Sequence, residues 1–252
     1  MKILITGASG KIGVLARSAF SAEQVTLMSR KFCECSANEK WVKCSSLDDV
    51  GWWANPLLAC DYDLVLHFAE PVKIYLKPHE LLRTVDSHVA FIKNASLKSR
   101  FVLYPQTALV YDAVLSKSEQ AYLALKRDVV ERTVDVNNLL TPVIHPVIDY
   151  GDGLANMRNL LQKIPVLNPF CDFKSSVPIL YKNDLEKFIR SLCGPMNEER
   201  RDVYSCELYI SDIFRVDKKV DVFWLSFILR KILSVFTFVP KVSLLLNGRS
   251  IS

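Results

Sequence analysis

The chain has 252 residues, half of them hydrophobic and 23% charged, with a net charge of +5. That length holds one large domain, or a main domain with a small lobe, and the composition excludes a disordered or fibrous protein. The mild positive charge suits anionic ligands such as nucleotide phosphates, and no run of Lys and Arg makes a nucleic-acid-binding arm.

The first twelve-odd residues organise the rest. Lys2 to Gly13 reads KILITGASGKIG: an apolar run, then Gly7, Gly10 and Gly13 spaced three apart and leading into a helical pattern, using three of only eight glycines. This is the order strand, tight turn, helix start. Glycine opens backbone conformations closed to other residues and lets a pyrophosphate approach the positive end of a helix, so a dinucleotide is the expected ligand. Ser9, Lys11 and Ile12 belong to the same loop. The apolar run before Thr6 is too short for a signal-peptide core, and the expected location is cytoplasmic.

Ile12, Leu15, Ala16 and Phe20 then recur at helical spacing, and Gln24 to Met28 reads as a second strand. NAD-binding proteins usually place a carboxylate after this strand for the ribose 2′-hydroxyl, whereas basic residues accommodate the 2′-phosphate of NADP. Here the stretch is Ser29, Arg30, Lys31. A hydroxyl followed by two cations favours NADP(H) over NAD(H), with Arg30 weighted above Lys31 because guanidinium grips phosphate in a fork. The seven cysteines are odd in number and Cys33 with Cys35 is the only close pair, so a zinc site is not expected and reduced thiols are.

Trp41 to Cys44 reads as a third strand, Asp63 to Ala69 (DLVLHFA) as a buried parallel strand, and Leu76 to Ala95 as a helix. Arg100 to Tyr104 is the next strand, Ser118 to Val136 a long amphipathic helix, and Thr141 to Ile148 another strand. Strands alternating with helices predict an α/β fold with a doubly wound parallel sheet over residues 1–150, ligand at the carboxyl ends of its strands. Beyond Tyr150 the pattern loosens. A turn at 151–153, a helix at 157–163, a strand at 176–181, a helix at 183–193 capped by Asn183, a strand at 203–208 and helix over 210–236 predict a small mixed substrate lobe spanning 151–252. Arg230, Lys231, Pro240 and Lys241 interrupt the apolar stretch 222–246, which argues against a membrane span. A helix closing the core is expected there, with peripheral membrane contact as the alternative.

Tyr122 and Lys126 stand four apart on the long helix, on one face. A phenol titrates near 10, and an ammonium held nearby favours the phenolate, so the pair can exchange a proton with a substrate alcohol or carbonyl. Thr107, at the end of the preceding strand, supplies a hydroxyl for the same oxygen.

With these residues in place, the chain resembles an extended short-chain dehydrogenase/reductase of the NAD-dependent epimerase/dehydratase group, which acts on nucleotide sugars. The similarity is carried by TGASGKIG, DLVLHFAE, FVLYPQTALVYD around Thr107, SEQAYLALKRDVVE around Tyr122 and Lys126, VIHPVIDYGDG and VPILYKNDL, in that order over residues 1 to about 190. The resemblance implies a Rossmann-type sheet, Tyr122 as general acid/base, Lys126 lowering its pKa and holding the nicotinamide ribose, and Thr107 polarising the carbonyl. It further implies that Phe68 and Ala69 line the cofactor groove, that Pro146 and Val147 face the nicotinamide, and that relatives pair through the Tyr122 helix as homodimers. Departures from the family pattern are Ser46 for an adenine-binding aspartate, Asp86 for a helix asparagine, His145 for an arginine, and Pro105 and Gln106 for two serines. The four histidines, His67, His79, His88 and His145, are read as structural. The expected function is reduction of a 4-keto nucleotide sugar by NADPH. The alternatives are an NAD-retaining epimerase or dehydratase, and a non-catalytic cofactor-binding relative.

Overall fold

The structure is a computed structural model that describes residues 1–44, 54, 60–70, 77–111, 117–145, 147, 176–192 and 202–209. Ser46, Pro146, Tyr150, the turn at 151–153, the helices expected at 157–163 and 210–236, and the apolar stretch 222–246 lie outside these residues. The described elements are β1 (Lys2–Thr6), α1 (Lys11–Ser18), β2 (Gln24–Ser29), β3 (Glu39–Lys43), β4 (Tyr62–His67), α2 (Pro78–Leu97), β5 (Ser99–Leu103) and β6 (Gln106–Thr107). After a 3₁₀ turn at Ala108–Tyr111 come α3 (Lys117–Glu131), β7 (Leu139–Leu140), β8 (Val143–Ile144), β9 (Ser176–Ile179), α4 (Lys182–Ser191), β10 (Asp202–Val203) and β11 (Cys206–Tyr209).

Six strands form one parallel sheet in the order β3-β2-β1-β4-β5-β7. Side chains alternate across a strand, so β1 sends Ile3 and Ile5 to one face and Leu4 to the other. On the first face Ile3, Ile5, Leu27, Leu64 and Leu66 pack with Leu15 and Ala16 of α1 and Leu185 and Ile189 of α4. On the second, Leu4, Val65 and Val102 pack with Phe91 and Ile92 of α2 and Leu125 and Val129 of α3. A sheet buried on both faces needs the continuous apolar strands seen in the sequence. Residues of α4, past position 150, complete the same core as α1.

The order places β1 between β2 and β4, so the chain winds outward in both directions from β1 and opens a crevice at the carboxyl ends of these strands. The fold is thus the doubly wound α/β sheet expected from the alternation of elements.

Four local expectations change. The strand that joins the main sheet, β7, ends at Leu140, before the strand expected at 141–148; within that range β8 pairs instead with β6 and β10 in a second, three-stranded sheet. Pro142 lies between β7 and β8; it has no N–H for a ladder, and its carbonyl accepts the Gln106 N–H at 2.8 Å. The strand expected at 203–208 also divides, with β10 against β8 and β11 antiparallel to β9. Asn183 lies inside the first turn of α4, whose cap residue is the extended Tyr181. The long helix ends at Glu131, short of Val136; beyond its end the Thr133 hydroxyl bonds the Val129 carbonyl, the local competition through which Thr weakens helices. No helix among the described residues is long and apolar enough to cross a membrane.

Candidate functional site

The turn from β1 into α1 is a close fit of backbone on backbone. Gly7 has φ +68°, and a Cβ there would lie 2.6 Å from the carbonyl carbon of Phe68 and 2.7 Å from the Ala69 nitrogen. At Gly13 a Cβ would meet the Gly7 carbonyl and lie 2.8 Å from the Ala8 Cα. Gly10 is less crowded, its nearest neighbour 3.1 Å away, and it caps α1 in an extended conformation with no side chain bonded over the helix end. Gly7 and Gly13 therefore serve packing, while Gly10 leaves the bare amides of α1 open to an anion. Ser9 and Lys11 are exposed around them, and Ile12 leans on the core. Gly7→Ala is expected to cost at least about 3 kcal/mol, from a left-handed residue and a backbone collision together. Urea unfolding checks this, and a loss under about 1 kcal/mol would contradict the close fit.

Phe68 and Ala69 form the wall of this turn through their backbones. The Phe68 N–H donates to the Thr6 carbonyl and the Ala69 N–H to the Thr6 hydroxyl, each at 3.2 Å. On the other side of β1, Arg30 and Lys31 are exposed at the end of β2. The Ser29 hydroxyl does not join them. It is buried, donates to the Lys31 carbonyl and accepts the Trp41 indole N–H at 3.1 Å, so only the two cations remain for a phosphate.

The titratable groups gather beyond β4 and β5. Lys126, 2% exposed, reaches from α3 to the Glu70 carboxylate and to the Pro105 carbonyl at 2.8 Å, with its ammonium 4.0 Å from the centre of the Tyr104 ring. The Tyr122 ring centre is 5.7 Å from the same ammonium. Thr107 stands on β6, which α3 packs against, and its oxygen accepts the Leu109 N–H at 3.3 Å. No hydrogen bond joins Tyr122 to Lys126 or Thr107 among the described residues. The structure so brings Tyr122 and Lys126 to the carboxyl edge of the sheet, with Thr107 on the neighbouring strand. It places Val147 in a single bridge to Leu180.

The lowering of the Tyr122 pKa expected from Lys126 is opposed here: burial raises it well above 10, and the Glu70 charge raises it further. Burial also lowers the Lys126 pKa, against the opposing pull of Glu70, and raises that of Glu70, against the pull of Lys126.

Sequence reasoning gave Glu70 no role. Its signal was a carboxylate three residues past the end of the buried strand β4, after Phe68 and Ala69. Nor did it foresee that two histidines meet. The Thr6 hydroxyl is 2.7 Å from His67 Nδ1, and His67 Nε2 is 2.7 Å from His88 Nδ1. The Thr6 hydroxyl accepts the Ala69 N–H and has its own proton to donate to His67 Nδ1, an arrangement in which His67 carries its proton on Nε2 and donates it to His88. Both rings sit beside Tyr104, at 5.5 and 5.8 Å. Glu70 Oε2, His88 Nε2, the Tyr104 hydroxyl and Gln106 Nε2 are buried without hydrogen-bond partners among the described residues. Such atoms cost free energy, and their concentration at one strand edge is a mark of a site that a ligand completes. His145, at the position of the family's arginine, instead bonds Asp202 at 3.0 Å and stacks on Tyr111.

No family model matches the chain, and no curated protein matches its sequence. Solved structures do match. The Bordetella bronchiseptica enzyme WbmG, solved in complex with NAD, has a TM-score of 0.68 at 17% identity, covering 88% of this chain and 80% of that one. WbmH of the same organism, in complex with NAD+, has a TM-score of 0.65 at 16% identity, covering 85% and 79%. UDP-glucose 4-epimerase of Thermotoga maritima, solved with UDP-glucose, has a TM-score of 0.63 at 13% identity, covering 88% and 85%. The chain shares the Rossmann-type fold of the short-chain dehydrogenases/reductases to which its motifs pointed.

Proposed function

We propose that the protein is a nicotinamide-dependent oxidoreductase that reduces a keto group, of the 4-keto type, on a nucleotide sugar, with NADPH as donor. The observation that carries this reading is the meeting of Tyr122 and Lys126 with the strand bearing Thr107, at the sheet edge that the glycine turn serves. The solved neighbours with NAD, UDP-glucose, or UDP-glucuronic acid and NAD support the ligand class. The site fits a dinucleotide: Gly7 and Gly13 admit no Cβ, and the start of α1 is left open. Gly7, Ser9, Gly10, Lys11, Ile12 and Gly13 would hold the pyrophosphate. Arg30 and Lys31 would hold the adenosine half, and Phe68, Ala69, Tyr122, Lys126, Pro146 and Val147 the reactive half. When bound, the nicotinamide supplies a hydride to the carbonyl carbon.

This chain's residues then handle the oxygen. Thr107 donates a hydrogen bond to the carbonyl, and Tyr122 donates the proton that turns the developing alkoxide into an alcohol. The raised Tyr122 pKa keeps the phenol protonated at neutral pH, which suits a general acid and thus the reducing direction. Lys126 neutralises the charge left on the phenolate.

A second reading is an epimerase that retains NAD, and one observation favours it: with Ser29 turned inward, the 2′-phosphate is left with two exposed cations and no hydroxyl. Mass spectrometry of the nucleotide released from purified protein, with fluorescence titration of NADPH and NADH, separates the two. Reduction predicts little bound nucleotide, tighter NADPH than NADH, and about tenfold weaker NADPH binding in Arg30→Ala with NADH unchanged. Stoichiometric bound NAD would establish the second reading, and an unchanged Arg30→Ala titration would remove the NADPH preference.

A further inference from the structure

The crevice has two sides. Across β1, the β2 side ends in two exposed cations, while the β4 and β5 side ends in Glu70, Pro105 and the ammonium of Lys126. Among the described residues Glu70 Oε1 and the Pro105 carbonyl accept two of the three N–H groups of the Lys126 ammonium, which stands 4.0 Å from the centre of the Tyr104 ring. Glu70 has capacity to spare: Oε2 is buried and accepts no hydrogen bond among the described residues.

The chemistry of that oxygen narrows what can complete it. A phosphate placed there would be repelled by the carboxylate, and a metal cation by the ammonium already bound to it. The pair is neutral as a unit, so its natural ligand is an uncharged group with O–H donors. Glu70 follows two residues after Phe68, whose carbonyl walls the glycine turn, just past the carboxyl end of β4, the strand next to β1.

We propose that Glu70 is a ligand-binding residue: its free carboxylate oxygen accepts a hydrogen bond from a hydroxyl of the ribose attached beyond the pyrophosphate, while its other oxygen keeps Lys126 in place. This rests on the dinucleotide reading of the glycine turn. The resemblance assigns the ribose to Lys126 alone, whereas here the recognition is shared, with a charged acceptor as well as a charged donor. A vicinal diol satisfies both, because each of its hydroxyls donates and accepts. The two sides of the crevice then divide the ligand by charge. Phosphate lies toward Arg30, and neutral sugar toward Glu70.

Isothermal calorimetry with ADP and with ADP-ribose isolates the second ribose, since both carry the same adenosine and pyrophosphate. Wild-type protein is expected to bind ADP-ribose more tightly than ADP. Glu70→Ala is expected to lose at least tenfold of the ADP-ribose affinity with ADP unchanged within twofold, and Glu70→Gln, whose amide oxygen still accepts but carries no charge, to lose less. Retained ADP binding also reports that each variant is folded; if Glu70→Ala does not fold, the comparison of ADP-ribose with ADP in Glu70→Gln decides.

Wild-type protein that binds the two compounds equally overturns the proposal and leaves nucleotide binding standing. So does an unchanged or strengthened ADP-ribose affinity in the variants, which makes Glu70 only the counter-ion of Lys126. Loss of ADP and ADP-ribose affinity together in Glu70→Gln overturns it in favour of a purely structural role. Wild-type protein that binds neither compound removes the dinucleotide reading itself, and this proposal with it.

Discussion

Tyr122→Phe is expected to lower turnover about a thousandfold while leaving nucleotide affinity within about twofold, because it deletes one oxygen and nothing that packs. The Tyr122 ring lies beside the Lys126 ammonium in a buried setting, and the phenylalanine keeps that contact. Only the proton donor is lost. The assay follows NADPH absorbance with a UDP-4-keto-6-deoxyhexose, and fluorescence titration reports NADPH binding in parallel. Turnover within tenfold of wild type would remove Tyr122 from the chemistry and leave the non-catalytic alternative as the better account. The same pair of proteins tests the direction of reaction. With its pKa raised by burial and by Glu70, Tyr122 holds its proton across the neutral range, so the rate of reduction should not decline between pH 7 and 9 through this group. A decline in that window would mean that bound ligand lowers the phenol below its ordinary value of about 10.

The parts that are legible from sequence are those in which local chemistry decides. The glycine turn is read from Gly7 and Gly13 because their missing side chains answer to a backbone collision that any residue larger than glycine would produce. The succession of strands and helices along the chain is read from apolar runs, and α3 from its apolar face, each a short-range pattern. The sheet switch at Pro142 and the division of 202–209 between β10 and β11 were not legible, because both depend on partners far along the chain. The site divides the same way. Tyr122 and Lys126 announce themselves by spacing. Glu70 lies 56 residues from Lys126, and nothing local marks it as the partner of Lys126 whose charge adds to burial in raising the Tyr122 pKa. The inward turn of Ser29 is likewise set by Trp41 on the adjoining strand.

Acidification is expected to destabilise the protein through its buried histidines, before the carboxylates that are not raised by burial are protonated. His67 and His88 are fully buried, lie in one hydrogen-bonded line from Thr6, and face each other and the Lys126 ammonium. Burial, with Lys126 adding to it, pushes His88 down to about 3 and His67 well below 6.5. The folded state thus binds fewer protons than the unfolded chain once the pH falls below 6.5, and stability must drop as pH decreases through that range. Each histidine contributes about 1.4 kcal/mol per pH unit. Glu70 acts in the opposite sense, since its raised pKa lets the folded state take up a proton first and so offsets part of the loss. Glu39, held near 2 chiefly by its hydrogen bond to Arg17, contributes nothing until the pH falls below its ordinary 4.5. Between pH 6.5 and 4.5 the net slope should be roughly 1–3 kcal/mol per pH unit, enough to bring a domain of ordinary stability close to unfolding. Urea unfolding at half-unit steps through this window measures it. His88→Gln keeps an acceptor for the His67 N–H and removes one titrating ring, so its slope should be shallower by about 1 kcal/mol per pH unit. Equal slopes in the two proteins would mean that neither ring is held neutral by the fold.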